Sequence, residues 1–440
     1  MDVKLSKIVE ICNAKLVFGD GNIVCKSFSK DTRTINEGDI YVGIKGENFD
    51  GNTLYKEALE KGAKACILQG IDENKILELK VKYSDRAVVL VEDSIKALQE
   101  IATYKRSLYN IPVIAITGSV GKTSTKDIVA SVVGMKYKVL KTQGNLNNHI
   151  GVPLTVLGLD NHQALVVEMG MNNLNEISVL SKIAKPNVAI ITNVGTAHIG
   201  NLGSRENIRK AKLEILDGMC DGGVLIINND NDMLHDWYVQ KSLEKNIKIV
   251  TYGIENSSDF MAQNIELLSD SSNFGININN NTKKVEVPIG GVHFVYNALC
   301  AIAVGNTINI EIDDIIAGIE KFELSKNRME LIKILNDATI INDCYNANYD
   351  SMKAGLEYLS KTANKRKIAV LGDMLELGDF SEELHRKVGK EVVKNEIDIL
   401  ITVGEQAKII AEEVKKEKEP EQDKCIYPFE SNQEAIKKEA

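Results

Sequence analysis

Residues 114–124 read IAITGSVGKTS, a run of β-branched and small apolar residues that leads directly into a glycine turn and a Lys-Thr pair. The usual phosphate-binding loop is written G-x-x-x-x-G-K-[ST], but the outer position here, residue 116, is Ile. Gly118 and Gly121 lack Cβ atoms, so they let backbone N–H groups turn towards a phosphate at the start of a helix. The alternative is an ordinary strand–turn–helix. Because Gly-Lys-Thr follows a buried strand directly, the stretch favours a nucleotide site.

In such a loop the lysine places a point charge on the outer phosphates, and the following hydroxyl ligates Mg²⁺. Lys122 and Thr123 occupy these positions. The sequence therefore predicts an ATP-binding loop with this set of residues: Gly118, Ser119, Gly121, Lys122, Thr123 and Ser124.

Composition limits the class of protein. The chain has 440 residues, which suggests two to four domains. A hydrophobic content of 44% and a charged content of 26% are those of an ordinary globular protein. The net charge of −9 argues against nucleic-acid binding. Seven scattered cysteines without CxxC, no signal-peptide pattern and no long apolar run predict a cytoplasmic protein with reduced thiols.

Strands that are apolar throughout alternate with helices, which predicts an α/β fold with a parallel sheet covered on both faces. We expect three domains: residues 1–92 as a small α/β unit, 93–323 as a central P-loop domain, and 324–440 as a Rossmann-like α/β domain. Predicted central strands are 113–117, 164–169, 187–193 and 224–228, and predicted helices are 94–110, 122–134, 174–183 and 205–217. Helices 351–361 and 381–394 are predicted in the third domain.

Polar residues follow two further central strands. Glu168 lies within the buried strand 164–169, where a carboxylate is costly unless it is paired or binds a metal. Asn193 and His198 belong to TNVGTAHIG at 192–200, after the next strand. The ends of parallel strands meet at one edge of a sheet. A metal role for Glu168 is favoured over a hydrogen bond to a neighbouring helix.

The order of these motifs resembles that of the Mur ligases, ATP-dependent amide-bond-forming enzymes of peptidoglycan synthesis. The contracted TGSVGKTS, VVEMG, TNVGTAHIG and IRKAKLEIL at 208–216 are similar to that family's central domain. KDTRTINEGDIYVGIKGENFDG at 30–51 is similar to its UDP-binding domain. Three segments resemble the members that add D-alanyl-D-alanine to UDP-N-acetylmuramoyl-tripeptide: GNLNNHIGVPLT at 144–155, INDCYNANYDSM at 341–352 and AVLGDMLELGDFSEELHRKVG at 369–389.

The resemblance implies a cytoplasmic, ADP-forming ligase in cell-wall precursor synthesis. ATP would phosphorylate the terminal carboxylate of the UDP-linked tripeptide, and the dipeptide amine would attack the acyl phosphate. Thr123 and Glu168 would hold one Mg²⁺, and Glu168 and His198 a second. Lys212 matches a lysine that CO₂ converts into a carbamate. From the sequence pattern alone, an exposed helix lysine is the favoured interpretation of Lys212.

The same resemblance implies further contacts. Asn297 would contact the adenine, with a core polar pair or helix cap as the alternative. Arg328 and Asp343 would reach phosphate and ribose from the third domain, although Asp343 is equally a candidate for a structural cap. The implied substrate residues for the UDP end are Thr32, Arg33, Asn48 and Asp50. Asn145, Asn147 and Asn148 would approach the muramoyl part or the metal, and Tyr345, Asn346 and Asn348 would lie around the dipeptide and the nucleotide.

The sequence departs from the family pattern at Asn52, His149, Leu213 and Tyr349. It ends at EAIKKEA, where the family has a further strand and a GDVVLVKGSRG-like segment. We therefore expect a truncated third domain. Two alternatives stay open: a folylpolyglutamate synthase-like ligase, and a nucleotide-binding protein with impaired catalysis. The protein is expected to act as a monomer, with no nucleic-acid or membrane partner.

Overall fold

A computed structural model describes residues 3–240, 246–278, 281–334, 338–363, 365–417 and 425–439. Its first α/β unit contains a five-stranded sheet in the order β2-β7-β6-β5-β4, and β1 pairs separately with β3. The strands are β1 Val3–Lys4, β2 Lys15–Phe18, β3 Val24–Cys25, β4 Phe28–Ser29, β5 Ile40–Val42, β6 Ala65–Gln69 and β7 Ala87–Val91. The helices are α1 Leu5–Ile11, α2 Tyr55–Glu60 and α3 Glu73–Leu77.

The central unit is a nine-stranded sheet with helices on both faces. Its strands are β8 Val113–Thr117, β9 Val139–Lys141, β10 Ala164–Glu168, β11 Val188–Ile191, β12 Val224–Asn228, β13 Lys248–Gly253, β14 Phe260–Leu267, β15 Ser272–Ile278 and β16 Asn281–Val287. Its helices are α4 Ser94–Ser107, α5 Lys122–Gly134, α6 Gly151–Leu157, α7 Glu176–Ala184, α8 Ile199–Leu202, α9 Arg205–Leu213, α10 Asp232–Gln240, α11 Val292–Thr307 and α12 Ile312–Glu320.

The position of β8 in this sheet determines where the nucleotide loop lies. The strand order is β16-β15-β14-β13-β12-β11-β8-β10-β9, so β8 pairs in parallel with β10 on one side and β11 on the other. Every residue of β8 is buried, because alternate side chains pack into cores on opposite faces of the sheet. The residues that follow β8, β10 and β11 therefore meet at one edge.

The central strands are parallel as predicted, from β9 at one edge to β14, but the sheet continues into an antiparallel edge that was not predicted. Strands β14, β15 and β16 pair antiparallel and close that edge of the sheet. The end strand β16 buries Val285 and Val287 and exposes the residues that alternate with them, as in a sheet with one face towards solvent, whereas β15 is buried over most of its length. The predicted helix 205–217 also ends earlier than expected, since α9 stops at Leu213 and a short 3₁₀ turn, Glu214–Leu216, follows.

The third unit begins with an antiparallel hairpin and continues with three parallel strands. The strands are β17 Glu330–Ile334, β18 Ala338–Asn342, β19 Ile368–Gly372, β20 Ile399–Val403 and β21 Ile426–Phe429. The helices are α13 Tyr349–Thr362, α14 Ser381–Lys394, α15 Lys408–Glu417 and α16 Asn432–Glu439. The α/β class and the three-unit arrangement predicted from sequence are confirmed. Strands β17 and β21 were not predicted.

All seven cysteines lie in the described residues and none forms a disulfide. In the described part of the chain, no helix has the length and apolar character needed to cross a bilayer.

Candidate active site

A cavity of about 450 Å³ opens at the ends of β8, β10 and β11, between the central and third units. Most of the residues predicted for the nucleotide and the dipeptide line it: Ser119, Gly121, Lys122, Thr123, Ser124, Asn147, Asn148, Glu168, His198, Asn297, Arg328, Asp343, Tyr345, Asn346 and Asn348. The remaining predicted residues are not among its lining residues: Thr32, Arg33, Asn48, Asp50, Gly118, Asn145 and Lys212.

The turn after β8 requires glycine at two positions. A Cβ atom on Gly118 would lie 1.8 Å from Thr192 Oγ1, so no larger residue fits beside β11. Gly121 has φ +79° and is the N-cap of α5. These two glycines bring the start of α5, with its unpaired backbone N–H groups, into the cavity.

Asn193 holds this loop in shape. Its Oδ1 accepts hydrogen bonds from the backbone N–H groups of Ser119 and Val120 at 3.1 and 3.0 Å. Its Nδ2 donates to the Val120 carbonyl at 3.1 Å. Sequence reasoning placed Asn193 near the loop without a role. Its position directly after the strand beside β8 was the available signal.

Lys122 lies folded back over the loop. Its Nζ donates to the carbonyl oxygens of Gly118 and Ser119 at 2.8 and 3.3 Å. Burial lowers the pKa of Lys122 from its ordinary value, Glu168 opposes this shift, and Arg328 reinforces it. The ammonium, the carboxylate and the guanidinium therefore act on one another across the cavity, as a site for a charged ligand requires.

Glu168 ends β10 as a buried carboxylate with one satisfied oxygen. Asn147 Nδ2 donates to Oε1 at 2.8 Å, while Oε2 is buried and accepts no hydrogen bond in the structure. Leaving such an oxygen without a partner is costly. The chemistry of this oxygen together with the Thr123 hydroxyl fits Mg²⁺, which prefers hard oxygen ligands. Among the described residues, no group of three His, Cys, Asp or Glu forms a complete metal site.

Lys212 is 1% exposed, so the interpretation as an exposed helix lysine is wrong. Burial, with a contribution from the Lys122 charge, holds the pKa of Lys212 well below its ordinary value. Its neighbours Ile208 and Ala211 are fully buried, so α9 turns this face into the core. Leu213, one of the departures from the family pattern, packs against the same core.

The third unit supplies Arg328 and Tyr345 to the cavity. The Arg328 guanidinium lies over the Tyr345 ring at 3.9 Å from its centroid, and Nη2 is 3.5 Å from Thr123 Oγ1. Asp343 Oδ1 accepts from the Met329 backbone N–H at 3.2 Å, and burial raises the pKa of this carboxyl. Asp343 thus has the structural contact that was considered as an alternative, and it also lines the cavity.

Hydrogen bonds to Asp350 and Glu376 join the loop 192–200 to the third unit. Asp350 Oδ2 accepts from the Thr196 N–H and hydroxyl at 2.8 and 3.0 Å. His198 Nδ1 is 2.5 Å from Glu376 Oε2. Sequence reasoning missed Asp350 and Glu376, although both lie in the segments 341–352 and 369–389 that it singled out.

Asn297 and His293 form the wall contributed by α11. Thr125 Oγ1 donates to Asn297 Oδ1 at 3.0 Å, so the alternative of a core polar pair describes part of this residue's role. His293 Nε2 is buried without a hydrogen-bond partner, and burial lowers the pKa of His293 to about 4. This imidazole is therefore neutral at pH 7.

The residues predicted for the UDP end lie in the first unit. Arg33 pairs with Asp31 at 2.6 Å, and the carbonyl of buried Thr32 accepts from Lys61 Nζ at 3.1 Å. Asp50 Oδ1 accepts from the N–H of Asn52 at 2.9 Å, while Asn48 is exposed. None of these four residues lines the main cavity.

The site combines a P-loop at the ends of parallel strands, a buried carboxylate beside that loop and an arginine from the third unit. Together these features define an ATP-dependent ligase of multidomain architecture. Two family models match the chain: the Mur ligase middle domain over residues 116–305, and the Mur ligase glutamate ligase domain over residues 327–440. The chain belongs to the Mur ligase family.

Curated relatives carry the name UDP-N-acetylmuramoyl-tripeptide–D-alanyl-D-alanine ligase. The protein from Bacillus subtilis is 39% identical over 88% of this chain and 82% of its own length. The one from Escherichia coli is 32% identical over 93% of this chain and 88% of its own length. The crystal structure of MurF from Acinetobacter baumannii superposes with a TM-score of 0.86 at 30% identity, covering 99% of this chain and 91% of that chain.

Proposed function

We propose that this protein joins D-alanyl-D-alanine to UDP-N-acetylmuramoyl-tripeptide, with ATP converted to ADP and phosphate. The observation that carries the proposal is the buried Oε2 of Glu168, which has no hydrogen-bond partner and lies at the P-loop cavity. Arg328, from the third unit, lines the same cavity. The relatives at up to 39% identity bear the name of this activity. A folylpolyglutamate synthase from Mycobacterium tuberculosis, at 15% identity, shares the fold alone.

The reaction requires a carboxylate to become an electrophile. Transfer of the γ-phosphoryl group gives an acyl phosphate, and attack by the dipeptide amine then expels phosphate through a tetrahedral intermediate. Both steps build negative charge on oxygen atoms. Lys122 and Arg328 face the cavity and stabilise that charge, and the N-terminus of α5 adds backbone N–H groups.

ATP is proposed to occupy the loop 118–124, with Asn297 near the base, and Arg328 and Asp343 towards phosphate and ribose. The MurF structure from Thermotoga maritima, 26% identical with a TM-score of 0.77, is a complex with ADP, which supports the binding of an adenine nucleotide by this chain. Mg²⁺ would be held by Thr123 and Glu168, with a second ion at Glu168 and His198. When bound, it would neutralise phosphate charge during transfer.

Lys212 is proposed to carry a carbamate. Carbamate formation needs a neutral amine, and the burial that lowers the pKa of Lys212 favours that form. The carbamate would in turn balance the charge of Lys122. Lys212→Ala is expected to lose at least about 100-fold in kcat, with partial rescue by short carboxylates, in the way that a lost charged group is replaced. An unimpaired Lys212→Ala enzyme would end the carbamate proposal.

For the acceptor, Thr32, Arg33, Asn48 and Asp50 are proposed to contact the UDP end, and Asn145, Asn147 and Asn148 the muramoyl part. Tyr345, Asn346 and Asn348 are proposed near the dipeptide. We propose that the protein works in the cytoplasm as a monomer.

The test is ADP release by the purified chain with ATP and Mg²⁺. ADP formation that requires both UDP-N-acetylmuramoyl-tripeptide and D-alanyl-D-alanine is the expected result. Stimulation by a folate and glutamate instead would favour the second ligase type. ATP binding without stimulation by either substrate pair would identify a nucleotide-binding protein without ligase activity. Lys122→Ala serves as the inactive control.

A further inference from the structure

We propose that Glu376 is a positioning residue that fixes the His198 imidazole and makes its orientation depend on docking of the third unit. The proposal rests on the proposed function, since it concerns the same cavity. Glu376 belongs to the segment 369–389, and the proposed binding of nucleotide and substrate does not account for the contacts of this segment with the loop 192–200.

Glu376 makes two hydrogen-bonded contacts with the loop 192–200. Its Oε2 accepts from His198 Nδ1–H at 2.5 Å, and its carbonyl accepts from the Gly200 backbone N–H at 3.1 Å. Both His198 and Glu376 have left-handed backbones, with φ 62° and 61°. A Cβ atom on Gly200 would lie 2.6 Å from the Glu376 carbonyl oxygen, so the two loops approach as closely as backbones can. The geometry places one glutamate against two residues of the loop, His198 and Gly200.

The carboxylate determines which ring nitrogen of His198 is available. A carboxylate accepts a hydrogen bond only from a protonated nitrogen, so Nδ1 carries the proton in the neutral ring. Nε2 then keeps its lone pair for a ligand in the cavity that His198 lines. A carboxylate in this position both orients the ring and raises its strength as a ligand.

The segment just before Glu376 is anchored within the third unit. The fully buried His385 accepts the Met374 N–H at Nε2, at 3.1 Å, and its Nδ1–H donates to the Ser381 carbonyl at 2.7 Å. Asp373 Oδ1 accepts from the Ala407 N–H at 2.7 Å. Glu376 therefore moves with its unit, and it cannot remain on His198 if the third unit separates from the central one.

The neighbouring Thr196–Asp350 contact joins the same loop to the third unit at a second point. Asp350 belongs to α13, and Glu376 to the loop before α14. Two residues of the central loop, 196 and 198, are thus held from two different elements of the third unit. His198 acquires its fixed orientation when both are in place.

The first measurement is the ¹⁵N chemical shifts of the His198 ring in the full chain without metal or nucleotide, assigned with His198→Gln. The wild-type chain is expected to show the Nδ1–H tautomer of His198. In Glu376→Ala, the tautomer population is expected to move towards the Nε2–H form. Glu376→Gln keeps an acceptor and should stay close to wild type. A His198 tautomer that is identical in wild type and Glu376→Ala would overturn the proposal.

The second measurement separates positioning from a general structural effect. Glu376→Ala is expected to lower kcat by about 10- to 100-fold with little change in the KM for the tripeptide, and Glu376→Gln to restore part of it. Glu383→Ala, which removes an exposed pair with Lys387, is the matched control and should be unchanged. Equal kcat in Glu376→Ala and Glu383→Ala would overturn the proposal. A wild-type chain that releases no ADP would contradict the proposed function, while the tautomer measurement would still decide the role of Glu376.

Discussion

Asn147 and Glu168 form a pair in which the amide satisfies one carboxylate oxygen and leaves the other buried without a partner. The two residues come from different segments of the chain, the loop before α6 and the end of β10. The amide therefore orients the carboxylate without neutralising it.

Asn147→Ala is expected to lower kcat/KM by about 10-fold and to raise the Mg²⁺ concentration for half-maximal activity, because the carboxylate loses its orientation. ADP release titrated with Mg²⁺ measures both. Asn161→Ala, which removes an exposed amide that accepts from Lys138, should behave as wild type. An unchanged Mg²⁺ dependence in Asn147→Ala would argue against this orienting role.

Gly118→Ala is expected to destabilise the fold by about 2–4 kcal/mol and to abolish ATP binding, since its Cβ would overlap Thr192 Oγ1. Gly134→Ala is the matched control, because nothing lies within 4 Å of a Cβ at that helix position. The control should be neutral or more stable by up to about 1 kcal/mol. Urea unfolding and nucleotide titration test both variants. Comparable unfolding midpoints for the two variants would contradict the steric explanation.

Asp127 anchors the segment that carries Arg328. Its Oδ2 accepts from the N–H and hydroxyl of Ser325 at 3.1 and 2.7 Å, and Lys141 Nζ is 2.9 Å from Oδ1. Burial alone would raise the pKa of this carboxyl, but Lys126, Lys141 and Ser325 outweigh it and hold the pKa below its usual range.

Asp127→Ala is therefore expected to lower the free energy of unfolding by about 3–5 kcal/mol, because the buried Lys126 loses its partner. Asp127→Asn should cost less and raise the KM for ATP, since Ser325 no longer holds Arg328 in place. Asp313→Ala removes an exposed pair with Lys283 and should be nearly neutral. Urea unfolding and ATP kinetics distinguish these effects. An Asp127→Asn enzyme with wild-type KM would show that the linker is held by other contacts.

The pH dependence of stability should report His293. Its pKa is lowered to about 4 in the folded state, so the unfolded chain binds more protons between about pH 4 and pH 6.5. Stability therefore rises with pH across this window, and the stabilisation that His293 contributes is fully present above about pH 6.5. When the pH is lowered from 7.5 to 5, the free energy of unfolding should fall by about 1–2 kcal/mol less in His293→Gln than in the wild type. Thermal unfolding at the two pH values checks this, and equal losses would contradict it.

The sequence was sufficient to predict the central strands, because β8, β10 and β11 are apolar throughout and need no tertiary information to be recognised. It could not predict the antiparallel edge. Strands such as β16, with the sequence NTKKVEV, bury only alternate residues and have the composition of a solvated surface. Such strands are fixed by pairing with their neighbours.

Lys212 shows a second limit. The helix RENIRKAKL is rich in charge, and its pattern favours exposure of every lysine. Lys212 is buried because α9 packs this face against the core, and the local sequence pattern alone does not predict such tertiary packing. Asp350 and Glu376 were missed for a related reason. Their partners, Thr196 and His198, lie more than a hundred residues away and meet them only when the units dock.

The cavity between two units has a consequence for inhibitors. A molecule held between Lys122 and Arg328 contacts the central and third units at once, so its release would require the two units to open apart. Its residence time would follow the rate of that opening more than the number of its own contacts. Compounds that strengthen the Thr196–Asp350 contact would therefore prolong occupancy without adding affinity for either unit alone.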